Sequence, residues 1–303
     1  MAARLLALIA LLSIQSACGV TARGVATTRA LAFLARVKTN DCGAAAAAAA
    51  RQFVVGETVL GRILPQAVGV LSRFPRVFDI DEAYVVLRDD PAWAALDGAQ
   101  LLEARTERIG TVLATLRQDG DVPMLDGWRD EAIAVRPSFY APPAFIIERA
   151  AGALFGLPAY GCFCNGYVCD GNGDRPTQLW LGRRSSTKPT WPGLLDCIAA
   201  GGIAAGQSVS SAMERECAEE AGISSNLAAG LRPVGGVSYT GFNQDRWGIK
   251  SDVLFNFDLR LPRSFEPVAV DGEVEGFRLV PIAEVRRRGG GCGREGLLAA
   301  QLH

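Results

Sequence analysis

The stretch SVSSAMERECAEEA, Ser208 to Ala221, constrains this chain more than any other. Drawn as a helix at about 100° per residue with Ala212 at zero, it sets Val209 at about 60°, Met213 at about 100° and Cys217 at about 140°. That arc is the face the helix buries, while Ser211, Glu214, Arg215 and Ala218 turn toward solvent. Glu216 falls at about 40° and Glu220 at about 80°, both inside the apolar arc, and Glu219 sits at its edge at about −20°. Carboxylates on a buried face are costly unless they are paired or bind a metal, and several together repel one another. A hard divalent cation is one remedy. Oxygen ligands without His or Cys favour Mg²⁺ or Mn²⁺ over zinc. Gly222 suits the left-handed residue that ends a helix, and Gly201, Gly202 and Gly206 permit a tight loop before it, with backbone open to a ligand.

Histidine usage narrows the chemistry further. The chain has one, His303, the last of 303 residues. This excludes a Ser-His-Asp or Cys-His mechanism within one chain and a His-ligated zinc in a folded core. The formal net charge of −1 gives no basic excess, so no nucleic-acid polymer is expected as partner. Hydrophobic residues make up 49% of the chain, enough for a real core. None of the eight cysteines forms a C-x-x-C pair, and Cys162, Cys164 and Cys169 match no standard zinc spacing. Buried structural thiols are the reading that composition favours; a redox or metal trio is the alternative.

Three segments are expected along the chain. Residues 1–40 read as a targeting segment: Leu5 to Ile14 is an apolar run too short to span a bilayer, followed by an Arg-bearing stretch with no acid before Asp41. A plastid is favoured over a mitochondrion as destination, with the secretory pathway as alternative and no membrane span in the mature form. Residues 41–150 read as a small α+β domain. It opens on an alanine run that is a linker or divergent helix, continues with strands in FVVGETVLGRILP and a buried strand in AYVVLRDD, and holds a helix in DGAQLLEARTERIGTVLATLRQDG, stopped by Gly120. A Pro-bounded hydrophobic helix is expected over Ser138 to Pro158, joining the halves. Residues 151–303 alternate short strands with loops around one marked helix, which suggests an α/β sandwich with a mixed sheet.

At the acidic helix a family resemblance enters. The stretch GGIAAGQSVSSAMERECAEEAGI resembles the Nudix box, G-x5-E-x7-R-E-U-x-E-E-x-G-U, with U apolar: Gly201, Arg215, Glu216, Cys217, Glu219, Glu220, Gly222 and Ile223 match, and Gln207 stands where the pattern has Glu. The resemblance implies an α/β/α sandwich and a loop-helix-loop that binds Mg²⁺ or Mn²⁺ and hydrolyses a diphosphate linked to another moiety. It makes Glu216, Glu219 and Glu220 the metal and base carboxylates and Arg215 the residue that orients them. RRSSTKPTWPGLLDCIAAGGI, YGCFCNGYV, GWRDEAIAV and LPRSFEPVAVDGEVEGFRLVPIAEV are similar to segments of the plant and fungal thiamine-pyrophosphokinase-like subgroup, which carries an extra N-terminal domain. This implies a substrate such as thiamine diphosphate or a damaged analogue. Phe163 departs from that subgroup, where His is frequent, and the chain ends sooner than the subgroup's pattern.

Other residues are weaker candidates. Arg183, Arg184 and Lys188 precede the box and suit phosphate oxygens, with Gly201 and Gly202 as backbone contacts. Asn165 and Tyr167 are candidate pocket residues, and Trp128, Arg129 and Glu131 a junction feature. Asp271, Glu273 and Glu275 would share one face if they lie on a strand and would then offer another metal ligand or base; an exposed turn explains them as well. GCGREG, 291–296, matches G-x-G-x-x-G but leaves no room for a βαβ unit and is discarded. Three functional readings remain: a hydrolase acting on a thiamine-diphosphate-like molecule, a nucleoside diphosphatase, and a non-catalytic binding protein that keeps the fold.

Overall fold

The computed structural model describes residues 43–171, 173–188, 191–243 and 246–285. The expected targeting segment, the GCGREG run, His303, and Cys18, Cys42 and Cys292 lie outside the described residues.

The alanine run forms a short helix, α1 (Ala44–Ala49). It leads into the hairpin β1 (Arg51–Val55) and β2 (Thr58–Ile63), the helix α2 (Pro65–Leu71), and strands β3 (Phe78–Ile80) and β4 (Tyr84–Leu87). The sheet order is β2-β1-β4-β3, with β1 and β4 parallel. β4 is half-buried rather than buried: Val85 and Leu87 enter the core while Tyr84 is 42% exposed. The long helix α3 (Gly98–Asp119) starts at a capping box of Asp97 with Gln100 and stops at Gly120 in the left-handed conformation. Its buried face, Ile109, Val112, Leu113 and Leu116, packs with Phe53, Phe145 and Phe155.

The helix expected over Ser138 to Pro158 is absent. This segment instead contains strand β6 (Phe145–Glu148), paired with β5 (Ala132–Val135), then a 3-10 turn over Arg149–Phe155. Two local features override the apolar run. Pro142 and Pro143 supply no backbone donors, and Phe145 to Glu148 alternate between core and surface, which suits a strand and not a helix. The Glu148 side chain then caps the 3-10 turn by accepting from the Ala150 N–H at 3.2 Å. The segment break expected at 150 falls inside this turn.

Gly156 ends the turn with φ +61, and a Cβ there would lie 2.0 Å from the Arg62 carbonyl oxygen of β2. Gly61 is equally close, with its missing Cβ 2.2 Å from the Phe155 carbonyl oxygen. Two backbones meet without side chains between them. Gly156→Ala is expected to destabilise the protein by about 2 kcal/mol or more, read from the urea midpoint; an unchanged midpoint would contradict this contact.

The second half is a seven-stranded mixed sheet built on β7 (Pro158–Cys169). Its path runs β11 (Arg232–Phe242), β12 (Ile249–Arg260), β7, β8 (Pro176–Arg184) and β13 (Val274–Pro281). Strand β9 (Leu195–Asp196) pairs with β8, and β10 (Ala199–Gly202) pairs with β7. β7 and β12 run parallel; β10 and β11 run antiparallel to their neighbours. The helix α4 (Val209–Ala221), followed by α5 (Ser225–Ala228), packs on one face of this sheet through Ala212, Met213 and Cys217 against Cys162, Cys164 and Phe257. Phe163, Asn165 and Tyr167 alternate to the other face.

The five described cysteines are buried free thiols. Burial pushes the Cys162 thiol up to about 12, which favours the neutral form. Cys169 belongs to a different cluster from Cys162 and Cys164, so the three form no shared ligand set. No described helix is long and apolar enough to cross a membrane.

Candidate active site

The site forms where α4 meets β10. Ser208 caps the helix by accepting from the Ser211 N–H, and Gly222 closes it in the left-handed conformation. Between these caps the carboxylates take the positions their angles imply. Glu216 is 7% exposed and Glu220 is 5% exposed, while Glu219 faces solvent.

Glu216 lies directly beneath Gly201. A Cβ on Gly201 would fall 1.9 Å from Glu216 Oε1. Arg215 grips two of the acids: Nη2 donates to Glu216 Oε1 at 2.6 Å and Nη1 to Glu219 Oε2 at 2.6 Å. Burial raises the Glu216 carboxyl above its ordinary value, against the opposing pull of Arg215. Glu220 accepts the Ala200 N–H at 2.8 Å. Burial pushes its carboxyl up to about 9, and the nearby Asp196 and Glu216 charges add to the shift.

Asp271 and Glu273 come to Glu220 from the loop before β13. Glu220, Asp271 and Glu273 each offer an oxygen, and these oxygens lie within 4.8 Å of one another. The two loop acids are not strand residues. Asp271 Oδ1 accepts the Glu273 N–H at 2.8 Å in a turn, and the Glu273 carbonyl accepts the Ser185 N–H at 2.8 Å, which ties the turn to the end of β8. Burial pushes the Glu273 carboxyl up, but its contact with the Lys188 ammonium prevails and holds it below the usual value. Glu275 goes elsewhere: it accepts the Ser186 N–H at 2.7 Å and sits 3.5 Å from Arg183 Nε.

The three cations expected to meet phosphate are therefore all engaged with carboxylates: Arg183 with Glu275, Arg184 with Asp196 at 3.0 Å, and Lys188 with Glu273. Lys188 is the one that touches the acidic cluster. Asn165 donates to Asp258 at 2.9 Å and Tyr167 accepts from Arg232 at 2.8 Å, both on the sheet face away from α4. Trp128 Nε1 donates to Asp130 at 2.8 Å. Gln207 lies outside the helix, in the turn before it, where its Oε1 accepts the Ala204 N–H at 3.2 Å.

Arg149 is the residue that sequence reasoning missed. A Cβ on Gly202 would lie 3.1 Å from Arg149 Nη1, so the guanidinium rests against the bare backbone next to Gly201. Glu131 holds it there with a 2.9 Å ion pair. The adjacent Ala132 carbonyl accepts the Ala205 N–H at 3.2 Å, which docks this region onto the loop leading into α4. No spacing signal links Arg149 to the box; its position depends on the 3-10 turn that replaced the expected helix.

Four carboxylates with no His or Cys ligand among them suit a hard divalent cation. Such an ion would also relieve the penalty that burial places on Glu220. The donor set therefore fits a metal at Glu220, Asp271 and Glu273, with Glu216 alongside.

Comparison with known proteins agrees with this geometry. Residues 165–299 match the NUDIX domain. Residues 32–159 match DUF4743, a domain of unknown function. The chain is similar to Nudix hydrolase 20, chloroplastic, of Arabidopsis thaliana, at 39% identity over 77% of this chain and 60% of that protein. Nudix hydrolase 24, chloroplastic, of the same plant is 41% identical, again over 77% of this chain and 60% of the relative. An uncharacterized Saccharomyces cerevisiae protein is 29% identical over 75% of this chain and 68% of its own length. The chain thus spans about 60% of the length of the two plant relatives.

Proposed function

We propose that this protein is a Mg²⁺- or Mn²⁺-dependent hydrolase of a diphosphate linkage, with thiamine diphosphate or a damaged analogue as the substrate type. The convergence of Asp271 and Glu273 on the buried Glu220, beside the buried Glu216, carries the reading, because two buried carboxylates facing two further acids repel one another unless a cation sits among them. When bound, the cation would neutralise charge on the phosphoryl oxygens and lower the pKa of a coordinated water. Glu216, Glu220, Asp271 and Glu273 would hold it. Glu219, exposed on the adjacent position of α4, is placed to meet an ion at the mouth. With no histidine in the site, one of these carboxylates takes the proton as water adds to phosphorus and the P–O bond to the leaving phosphate breaks. Arg215 fixes Glu216 and Glu219 in place. Gly201 and Gly202, lacking side chains, let the Glu216 carboxylate and the Arg149 guanidinium lie against the strand, so that both reach the diphosphate there.

The plastid is the proposed location. The acid-free N-terminal stretch supports it, as do the names of the two plant relatives. The proposed partner is a small-molecule diphosphate rather than a nucleic-acid polymer or a membrane.

Phosphate release from thiamine diphosphate and a panel of nucleoside diphosphates, with Mg²⁺, with Mn²⁺ and with chelator, tests the reading. Metal-dependent release from at least one compound is expected. Silence on the whole panel with both metals would favour the binding-protein alternative. In the same assay Arg149→Ala is expected to raise KM about tenfold with little change in kcat, as the loss of a charge-assisted phosphate contact predicts; an unchanged KM would remove Arg149 from the site.

A further inference from the structure

Three close backbone contacts fix the 3-10 turn over Arg149–Phe155. Gly61 and Gly156 seat it against β2, and just before β12 a Cβ on Gly248 would lie 2.1 Å from the Ala153 carbonyl oxygen. Only glycine allows backbones to approach this closely. Trp247, next to Gly248, packs on the core of the first half. The turn is therefore held from both halves of the chain, and Arg149 projects from a fixed mount. Glu131 takes Arg149 Nε at 2.9 Å, and Nη1 is the atom turned to Gly202.

Hydrogen-bond alternation along β10 places a second donor beside that nitrogen. The Ile203 N–H donates to the Tyr160 carbonyl at 3.0 Å, and Gly201 and Ala199 face Cys162 and Cys164 in the same phase. In an antiparallel pair the residues between these turn their N–H groups away from the partner strand. Ala200 conforms, since its N–H leaves β7 and reaches Glu220. The Gly202 N–H points the same way, and among the described residues β10 pairs with no strand but β7. The outer edge of β10 thus carries two donors about 7 Å apart. One is at Glu220, and the other is beside Arg149 Nη1. No side chain stands at 201 or 202, and the Arg149 side chain is 41% exposed. A ligand at Glu220 reaches Gly202 along this edge, not through the sheet.

We infer that the Gly202 N–H and the Arg149 guanidinium form an anion subsite for the phosphoryl group next to the one held at the cation. The domain of unknown function matched over 32–159 then contributes a working part of the diphosphate site, because it carries Arg149 and Glu131. This rests on the diphosphate-hydrolase reading above. Backbone N–H and guanidinium donors suit phosphate oxygens. The spacing seats one phosphoryl group at Glu220, Asp271 and Glu273 while its neighbour meets Gly202. Gly248 is a positioning residue here, acting through the turn that carries Arg149.

Calorimetric binding of imidodiphosphate, whose P–N–P bridge resists cleavage, to the Mn²⁺-loaded full chain tests it without turnover. Arg149→Ala is expected to weaken binding about tenfold and Arg149→Lys, which keeps the charge but not the fork, by less. Mn²⁺ affinity measured without diphosphate should be unchanged in both. Gly248→Ala should weaken imidodiphosphate binding in the wild-type background and add nothing on top of Arg149→Ala, the signature of action through one residue. Wild-type affinity in Arg149→Ala overturns the inference, as does absence of binding by the wild type. An equal loss of Mn²⁺ affinity also overturns it, since Arg149 would then serve the carboxylates and not the phosphoryl group. Additive losses in the double variant overturn the role of Gly248. If Gly248→Ala does not fold, the two Arg149 variants still decide the subsite. Arg149-dependent binding in a protein that cleaves no diphosphate would sink the hydrolase reading and leave the subsite standing.

Discussion

Glu220→Gln is expected to lower diphosphate hydrolysis roughly 100-fold or more, yet to make the metal-free protein more stable at alkaline pH. Both effects have one cause. Glu220 is buried among Asp196, Glu216 and the Asp271–Glu273 turn, and burial pushes its carboxyl from 4.5 up to about 9. The folded protein keeps a proton that the unfolded chain releases above about 4.5. The stabilisation is therefore complete below about 4.5 and is lost as pH rises through about 9, at up to ~1.4 kcal/mol per pH unit for this one group. Gln removes the titration and still accepts the Ala200 N–H through Oε1. Melting temperature measured in chelator from about pH 5 to 9 should fall for the wild type and stay flatter for Glu220→Gln. Mg²⁺ or Mn²⁺ should restore the wild type at high pH and help the variant less. A wild-type profile as flat as the variant's would show that Glu220 is not strained by burial.

Gly201→Ala is expected to be nearly as damaging to activity, by a steric route. The new methyl would stand 1.9 Å from Glu216 Oε1 and 2.0 Å from Cδ, so the carboxylate must move or β10 must pull away from α4. Either movement disturbs the Arg215–Glu216 pair and the Ala200–Glu220 hydrogen bond. A stability loss of about 1–3 kcal/mol is expected, with a fall in turnover of roughly 100-fold, since displacement of a catalytic group by about 1 Å has that effect. Gly202→Ala meets only Arg149 Nη1 at 3.1 Å, the end of a flexible side chain, and should be milder. Equal turnover in the two glycine variants would contradict this account.

The sequence made part of this site legible because helical geometry is local. Angles along Ser208–Ala221 placed Glu216 and Glu220 on the buried face, and they are buried. The strands of the second half and α3 were legible through the same kind of periodic pattern. Asp271 and Glu273 were visible as a cluster but not as neighbours of Glu220, because a turn 50 residues beyond α4 brings them there. Reading them with Glu275 on one strand face failed once the chain turned at 271–273. Ser138–Pro158 misled because apolar content does not distinguish a helix from a strand followed by a 3-10 turn. Arg149 was lost with it.

Strand β7 bears on how this protein could have been assembled from parts. It begins at Pro158, so the NUDIX match, which starts at 165, cuts through the middle of the strand. The portion before that point supplies Gly161 and Cys162, the partners of Gly202 and Gly201, and most of the register with β12. The family border is thus a boundary in sequence statistics and not a seam in the molecule. A fragment excised at 165 would leave the glycine strand of the box without any of its register partners on β7. A second half that starts upstream of Pro158 keeps the whole of β7 and with it the strand on which the box glycines pair.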